Sequence, residues 1–130
     1  VIQLNKIFRQ AEESLIIVNA HKINHGELPD LTTKSSDFFF LRRKTPQESA
    51  FTVMDLFKNR LPKSYNVNPI SSIQILSPTK KGLAGTVALN KLLQSHINPY
   101  DEMRPQHTYG NIIFRVGDKV MQTKNNYDND

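Results

Sequence analysis

The chain has 130 residues, 38% of them hydrophobic, enough for one modest core, and it contains no cysteine, which excludes disulfides, thiolate metal sites and a cysteine nucleophile. Seventeen Lys and Arg against twelve Asp and Glu leave a net charge of +5, compatible with a polyanionic partner and equally with an ordinary basic protein. Runs such as Leu15 to Val18 and Phe38 to Leu41 are far too short to span a bilayer, so no membrane partner is expected.

Val1 to Leu4 reads as a short strand, and Phe8-Arg9-Gln10 leads into a helix from about Ala11 to Asn24. Ile16, Ala20 and Ile23 fall on one face of that helix, and Gly26 is placed to terminate it. After a loop over Glu27 to Ser36, the run Asp37 to Arg42 is expected to be a buried strand, its three phenylalanines core rather than a base-stacking platform. Thr45 as cap, Pro46 at the first turn and Glu48 three residues after the cap mark a helix from Pro46 to about Arg60. Its stripe is Ala50, Val53, Met54, Phe57 and Leu61, and Pro62 is expected to end it.

Ile73 to Leu76 reads as a strand, Ser77 to Gly82 as a tight connection, and Leu83 to Ile97 as a helix carrying Val87, Leu89, Leu92, Leu93 and Ile97. Beyond a loop from Pro99 to His107, Ile112 to Phe114 and Lys119 to Gln122 suggest two strands joined near Gly117, a hairpin-like end to the chain. Alternating strands and helices favour an α/β fold, a mainly parallel sheet flanked by helices.

The motif search is informative through its negatives. There is no G-x-x-x-x-G-K-[ST] loop, no G-x-G-x-x-G and no G-x-S-x-G, so the chain has no phosphate cradle or nucleophile elbow of its own. His21 and His25 share a helix face at a spacing that zinc sites use, but the segment is not H-E-x-x-H and offers no third ligand, so no metal is expected. The Ser77-Pro78-Thr79-Lys80-Lys81-Gly82 loop places hydroxyls, two lysines and a glycine before a helix N-terminus, where amide groups and the helix dipole attract phosphate. The same residues also read as a turn with solvated lysines. Arg9 reads either as an ion-pair partner or as an arginine finger for a transferring phosphoryl group.

Four ordered blocks extend nearly the whole length of the chain. They are Ile7 to Ser14 with Asn19 to Asn24; Phe38 to Leu41; Gln74 to Gly82 with Gly85-Thr86 and Leu89 to Gln94; and Arg115 to Tyr127. Together they resemble the RecD-like helicases of bacteria, superfamily 1 motors related to the alpha chain of exodeoxyribonuclease V that move 5′ to 3′ on single-stranded DNA. The resemblance implies a single partial domain over 1–130, the first part of a second RecA-like (P-loop NTPase-like) motor domain, ending before an SH3-like insertion.

It implies that Arg9 contacts the γ-phosphate of ATP as an arginine finger, with Gln10 in support. It also implies that Ser77, Thr79, Lys80, Lys81 and Gly82 form a loop facing single-stranded DNA. ATP and magnesium belong to the intact helicase, whose cradle lies in a preceding domain, so the fragment alone is expected to be inactive and to carry no bound cofactor. Expected partners are single-stranded DNA, the remaining domains of the same helicase and subunits of a nuclease complex, in a bacterial cytoplasm. Two other classes stay open on the residues alone: a free-standing basic nucleic-acid-binding module without ATPase, and a structural or protein-docking domain.

Overall fold

A computed structural model describes residues 14–122; Arg9, Gln10, the Val1 to Leu4 segment and everything after Gln122 lie outside the described residues. The chain divides into two compact units, Val1–Arg42 and Arg43–Asp130. The described residues of each are mainly helix and irregular chain.

In the first unit, α1 spans Leu15–Asn24. It starts later than the expected Ala11 because Ser14, in extended conformation, is its N-cap and its Oγ accepts from the Ile17 N–H at 3.5 Å. It stops at a Schellman turn: Gly26 takes φ +77°, its N–H bonds the Ile23 carbonyl, and the Glu27 N–H reaches the Lys22 carbonyl at 2.8 Å. The expected inward face is overturned, since Ile16, Ala20 and Ile23 are exposed and the buried residue is Asn19. Its carboxamide pairs with the backbone of Asp30 in both directions, donating to the carbonyl at 2.9 Å and accepting from the N–H at 2.7 Å. A buried amide with both ends satisfied outcompetes an apolar contact for that position.

The Asp30 carboxylate in turn accepts from the hydroxyl of Thr33 at 2.6 Å and from the backbone of Thr33 and Thr32, which holds it well below the usual carboxylate range. Asp37 closes the unit back onto the helix start. It accepts from the Ser14 hydroxyl at 2.5 Å, from the Ser35 hydroxyl and from the Leu15 N–H at 3.3 Å, and its pKa is lowered by Ser14 first and Ser35 second. The strand expected over Asp37 to Arg42 does not form: the run joins no sheet among the described residues, and Phe39 is 65% exposed.

In the second unit, α2 spans Pro46–Asp55 and begins where the sequence places it. Thr45 Oγ1 accepts from the Glu48 N–H at 3.2 Å, while Glu48 returns a bond to the Lys44 N–H at 2.9 Å. The helix does not end at Pro62. A π-helical turn over Leu56–Arg60, closed by the Leu61 N–H on the Leu56 carbonyl, widens the backbone, and α3 continues over Leu61–Tyr65 with Pro62 in its first turn. The extra residue in that turn relieves the clash that a proline ring makes with the carbonyl four residues earlier. Asn66, at φ 51°, supplies the left-handed cap.

A short α4, Pro69–Ser72, is capped by Asn68. Residues Ile73 to Leu76 then run on without forming the expected strand; Ile73 and Ile75 are half-buried, Gln74 and Leu76 exposed. The alternation is strand-like, but a strand requires a ladder partner and this one has none among the described residues.

Helix α5 spans Thr86–Ile97, three residues shorter at its start than read from sequence. It packs on α2, and the buried apolar residues of the unit are Ala50 and Met54 from α2 and Leu89 from α5. Val53, Phe57 and Leu61 are half-buried, as are Leu92, Leu93 and Ile97.

Strands β1, Gln106–Tyr109, and β2, Ile112–Arg115, form an antiparallel hairpin with Tyr109 opposite Ile112 and Gln106 opposite Arg115. The turn is Gly110-Asn111, with Gly110 at φ +58° as a two-residue hairpin of this hand needs at its first position. The hairpin therefore lies earlier than expected: Lys119 to Gln122 is not a strand, and Gly117 ends β2's turn instead of joining two strands.

This two-stranded antiparallel hairpin is the sheet of the described residues. The expected RecA-like fold with a mainly parallel sheet is overturned, since among the described residues neither Asp37 to Arg42 nor Ile73 to Leu76 joins a sheet.

Two measurements test these assignments. Leu89→Ala should cost roughly 2–3 kcal/mol in urea unfolding, whereas Val87→Ala, at a 54% exposed position of the same helix, should cost under about 0.5 kcal/mol. Asp37 should titrate lower in the folded chain than in the unfolded one. Because its folded pKa is depressed, the clasp on α1 contributes fully above the unfolded value near ~3.9 and is lost as pH falls through the folded value. Carboxyl NMR should show that shift, and Ser14→Ala should shrink it; equal folded and unfolded midpoints would remove the clasp.

Candidate nucleic-acid interface

The structure brings Ser77, Thr79, Lys80, Lys81 and Gly82 together in a single turn wrapped over the start of α5. Two hydroxyls shape the turn from inside. Ser77 Oγ bonds the Ala84 carbonyl at 2.9 Å and lies 3.2 Å from that of Thr79, while Thr79 Oγ1 bonds the Lys81 carbonyl at 3.3 Å and accepts from the Lys81 N–H at 3.2 Å. Gly82 sits at φ +81°, a left-handed position where a side chain would be strained.

The helix N-terminus is engaged by the same turn. The Thr86 N–H donates to the Thr79 carbonyl at 3.0 Å and the Val87 N–H to the Lys80 carbonyl at 3.4 Å. Two of the amides that sequence reasoning assigned to an anion are therefore spent internally. Gly85 is what allows this approach, since a Cβ there would lie 2.3 Å from the Lys81 carbonyl oxygen and 2.7 Å from that of Lys80.

With the backbone turned inward, the lysine side chains face solvent. Lys80, Lys81 and Gly82 line a surface recess of about 360 Å³ together with Val87, Ala88 and Lys91 of α5. Lys91 falls in the Leu89 to Gln94 block but receives no role from the sequence; it lies four residues after Val87 and three after Ala88 on the same helical face.

A second polar assembly fixes the far end of α5. Asn98, its C-cap, is buried; its Nδ2 donates to Asp118 Oδ1 at 2.7 Å and to the Val116 carbonyl at 3.2 Å, and its Oδ1 accepts from Arg104. Asp118 Oδ2 also accepts from Gln94 Nε2 at 2.6 Å and from the Arg115 N–H at 2.8 Å. Arg115 donates to the Asn98 carbonyl and to Gln106 Oε1 at 3.0 Å, and its guanidinium lies 5.9 Å from the Tyr100 ring centroid. These groups satisfy one another and tie the hairpin to the helix.

His21 and His25 stack, with ring centroids 6.3 Å apart, and His25 Nδ1 bonds the His21 carbonyl at 2.7 Å. Among the described residues no group of three His, Asp or Glu side chains is placed to hold a metal, and no helix is long and apolar enough to cross a membrane.

Residues 89–130, which begin in α5 and include the hairpin and Asp118, match the family described as the ATP-dependent RecD-like DNA helicase SH3 domain. Over 129 residues, 99% of its length, the chain is 33% identical to an ATP-dependent RecD2 DNA helicase of Deinococcus radiodurans. By sequence the chain is RecD-like. The RecD-like chain spans 16% of the length of that relative. No solved structure matches it. The SH3 description attaches to residues 89–130, and it agrees with an antiparallel hairpin rather than a parallel sheet.

Ser77 is expected to act through the turn's shape. Ser77→Ala should lower stability by about 1 kcal/mol in chemical unfolding and speed hydrogen exchange at the Thr79 and Thr86 amides. Unchanged exchange at both would show that the hydroxyl does not hold the loop.

Proposed function

We propose that this RecD-like chain is part of an ATP-dependent DNA helicase, a 5′ to 3′ motor of recombination and repair, and that it contributes the loop Ser77 to Gly82 as a contact for single-stranded DNA. The observation that supports the reading is 33% identity over 129 residues, 99% of this chain, to an ATP-dependent RecD2 DNA helicase. The lysine-lined recess supports it locally: Lys80 and Lys81 are exposed, while the turn that bears them is internally bonded and so presents them from a fixed base. Ser77, Thr79 and Gly82 act in this reading by shaping the turn, and the two lysines meet strand phosphates.

Arg9 is proposed as the arginine finger that meets the γ-phosphate of ATP in the intact helicase, with Gln10 beside it. The chain holds no P-loop, so ATP and magnesium would be bound by other domains of the same protein, and this segment alone would be catalytically inactive.

Two experiments on the full-length helicase test these roles. Arg9→Ala should lower ATPase turnover by about a thousandfold or more while leaving DNA affinity within about twofold; normal turnover would sink the assignment. Lys80→Glu with Lys81→Glu should weaken single-stranded DNA binding at least about tenfold near 0.1 M salt, most strongly at low salt. Unchanged affinity would favour a docking role over a nucleic-acid one.

A further inference from the structure

The recess has a composition that says how it would hold a strand. Three lysines, Lys80, Lys81 and Lys91, line it together with Gly82, Val87 and Ala88. No aromatic ring, carboxamide, hydroxyl or carboxylate side chain is among its lining residues. Sequence readout requires paired hydrogen-bonding groups on base edges, stacking requires a flat π-face, and telling ribose from deoxyribose requires a partner for the 2′-hydroxyl. Lysine supplies a point charge only.

The backbone segments that carry the three lysines are tied to one another. Thr79 and Lys80 carbonyls are bonded to the first amides of α5, so the backbone of the loop lysines is tied to the helix whose next turn carries Lys91. Gly85 permits that tie, because a methyl group there would collide with both lysine carbonyls.

We infer that Lys91 is a third phosphate contact, and that the strand leaves the Lys80–Lys81 turn and follows the first turns of α5, gripped by its backbone without regard to base or sugar. This rests on the reading of the Ser77 to Gly82 loop as DNA-facing. Gly85 is a positioning residue for the path: it touches no phosphate but sets where two of the three charges stand.

The test uses the intact helicase without nucleotide and a short fluorescein-labelled oligothymidylate, with anisotropy read over a salt series. Lys91→Gln should lower the salt slope by about 0.7 and the affinity about fivefold near 0.1 M salt, that exponent applied to the tenfold dilution from 1 M. Lys91→Arg should restore the affinity. The same loss should appear with a mixed-sequence strand and with oligouridylate. Gly85→Ala, which leaves the charge unchanged, should also weaken binding, whereas a diffuse basic surface would not notice it.

The outcomes separate the two levels of the reading. If Lys80→Gln and Lys81→Gln weaken binding and Lys91→Gln does not, the third contact is overturned and the loop assignment stands. If none of the three weakens it, the loop assignment itself falls. A Lys91→Gln loss confined to DNA, or to one base sequence, would overturn the backbone-only grip. The lysine series decides the matter even where circular dichroism shows that Gly85→Ala costs helix.

Discussion

The carboxamide of Asn98 is the point on which the second unit's geometry hangs. Asn98 is the C-cap residue of α5 and is 5% exposed, and its carboxamide is bonded to Asp118, Val116 and Arg104. Gly117 lies against it, at φ +99° and with space for a Cβ only at 3.4 Å from Asn98 Nδ2. A buried amide left with an open donor or acceptor would cost about 1–3 kcal/mol, so the turn after β2 is drawn to the place where every group finds a partner. Among the described residues no buried side-chain nitrogen or oxygen is without one.

Helix α5 carries that constraint from one end of the unit to the other. Its C-terminus holds the hairpin through Gln94, Asn98 and Asp118, its middle buries Leu89 against α2, and its N-terminus receives the Ser77 to Gly82 turn. The match to a RecD-like SH3 domain begins on this helix at residue 89, so the helix joins the segment bearing the lysine recess to the segment bearing the hairpin. Polar bonds do much of the holding because so few apolar side chains are buried. Both strands of the hairpin are exposed along nearly their whole length, and a two-stranded ribbon by itself is marginal in water.

The recess follows from the same economy of partners. Hydroxyls and amides of the turn satisfy one another, and what remains to face outward is the set of groups that cannot be satisfied internally, the lysine ammoniums. Under the proposed function, a phosphate strand is the ligand that complements such a surface.

Local signals were legible where they depend on neighbours in sequence. Thr45, Pro46 and Glu48 mark the start of α2, Ala50 and Met54 its buried stripe, Gly26 the end of α1, and the ordered blocks the RecD-like character of the chain. The Gly110-Asn111 turn was equally readable, and Ile112 to Phe114 after it reads as a strand, but Gln106 to Tyr109 before it is a polar run that does not read as one. Strands at Asp37 to Arg42 and Ile73 to Leu76 could not be settled by propensity, because a strand exists only when a partner offers its ladder. Pro62 reads as a stop until a π-helical turn absorbs its ring. Asn19 finding Asp30, Ser14 finding Asp37, and Lys91 joining Lys80 and Lys81 are contacts between residues apart in sequence, so only the tertiary structure decides them. Local chemistry determines where helices begin and end; which polar groups are satisfied inside, and so which charges are left to meet a ligand, is determined by the packing of the folded chain.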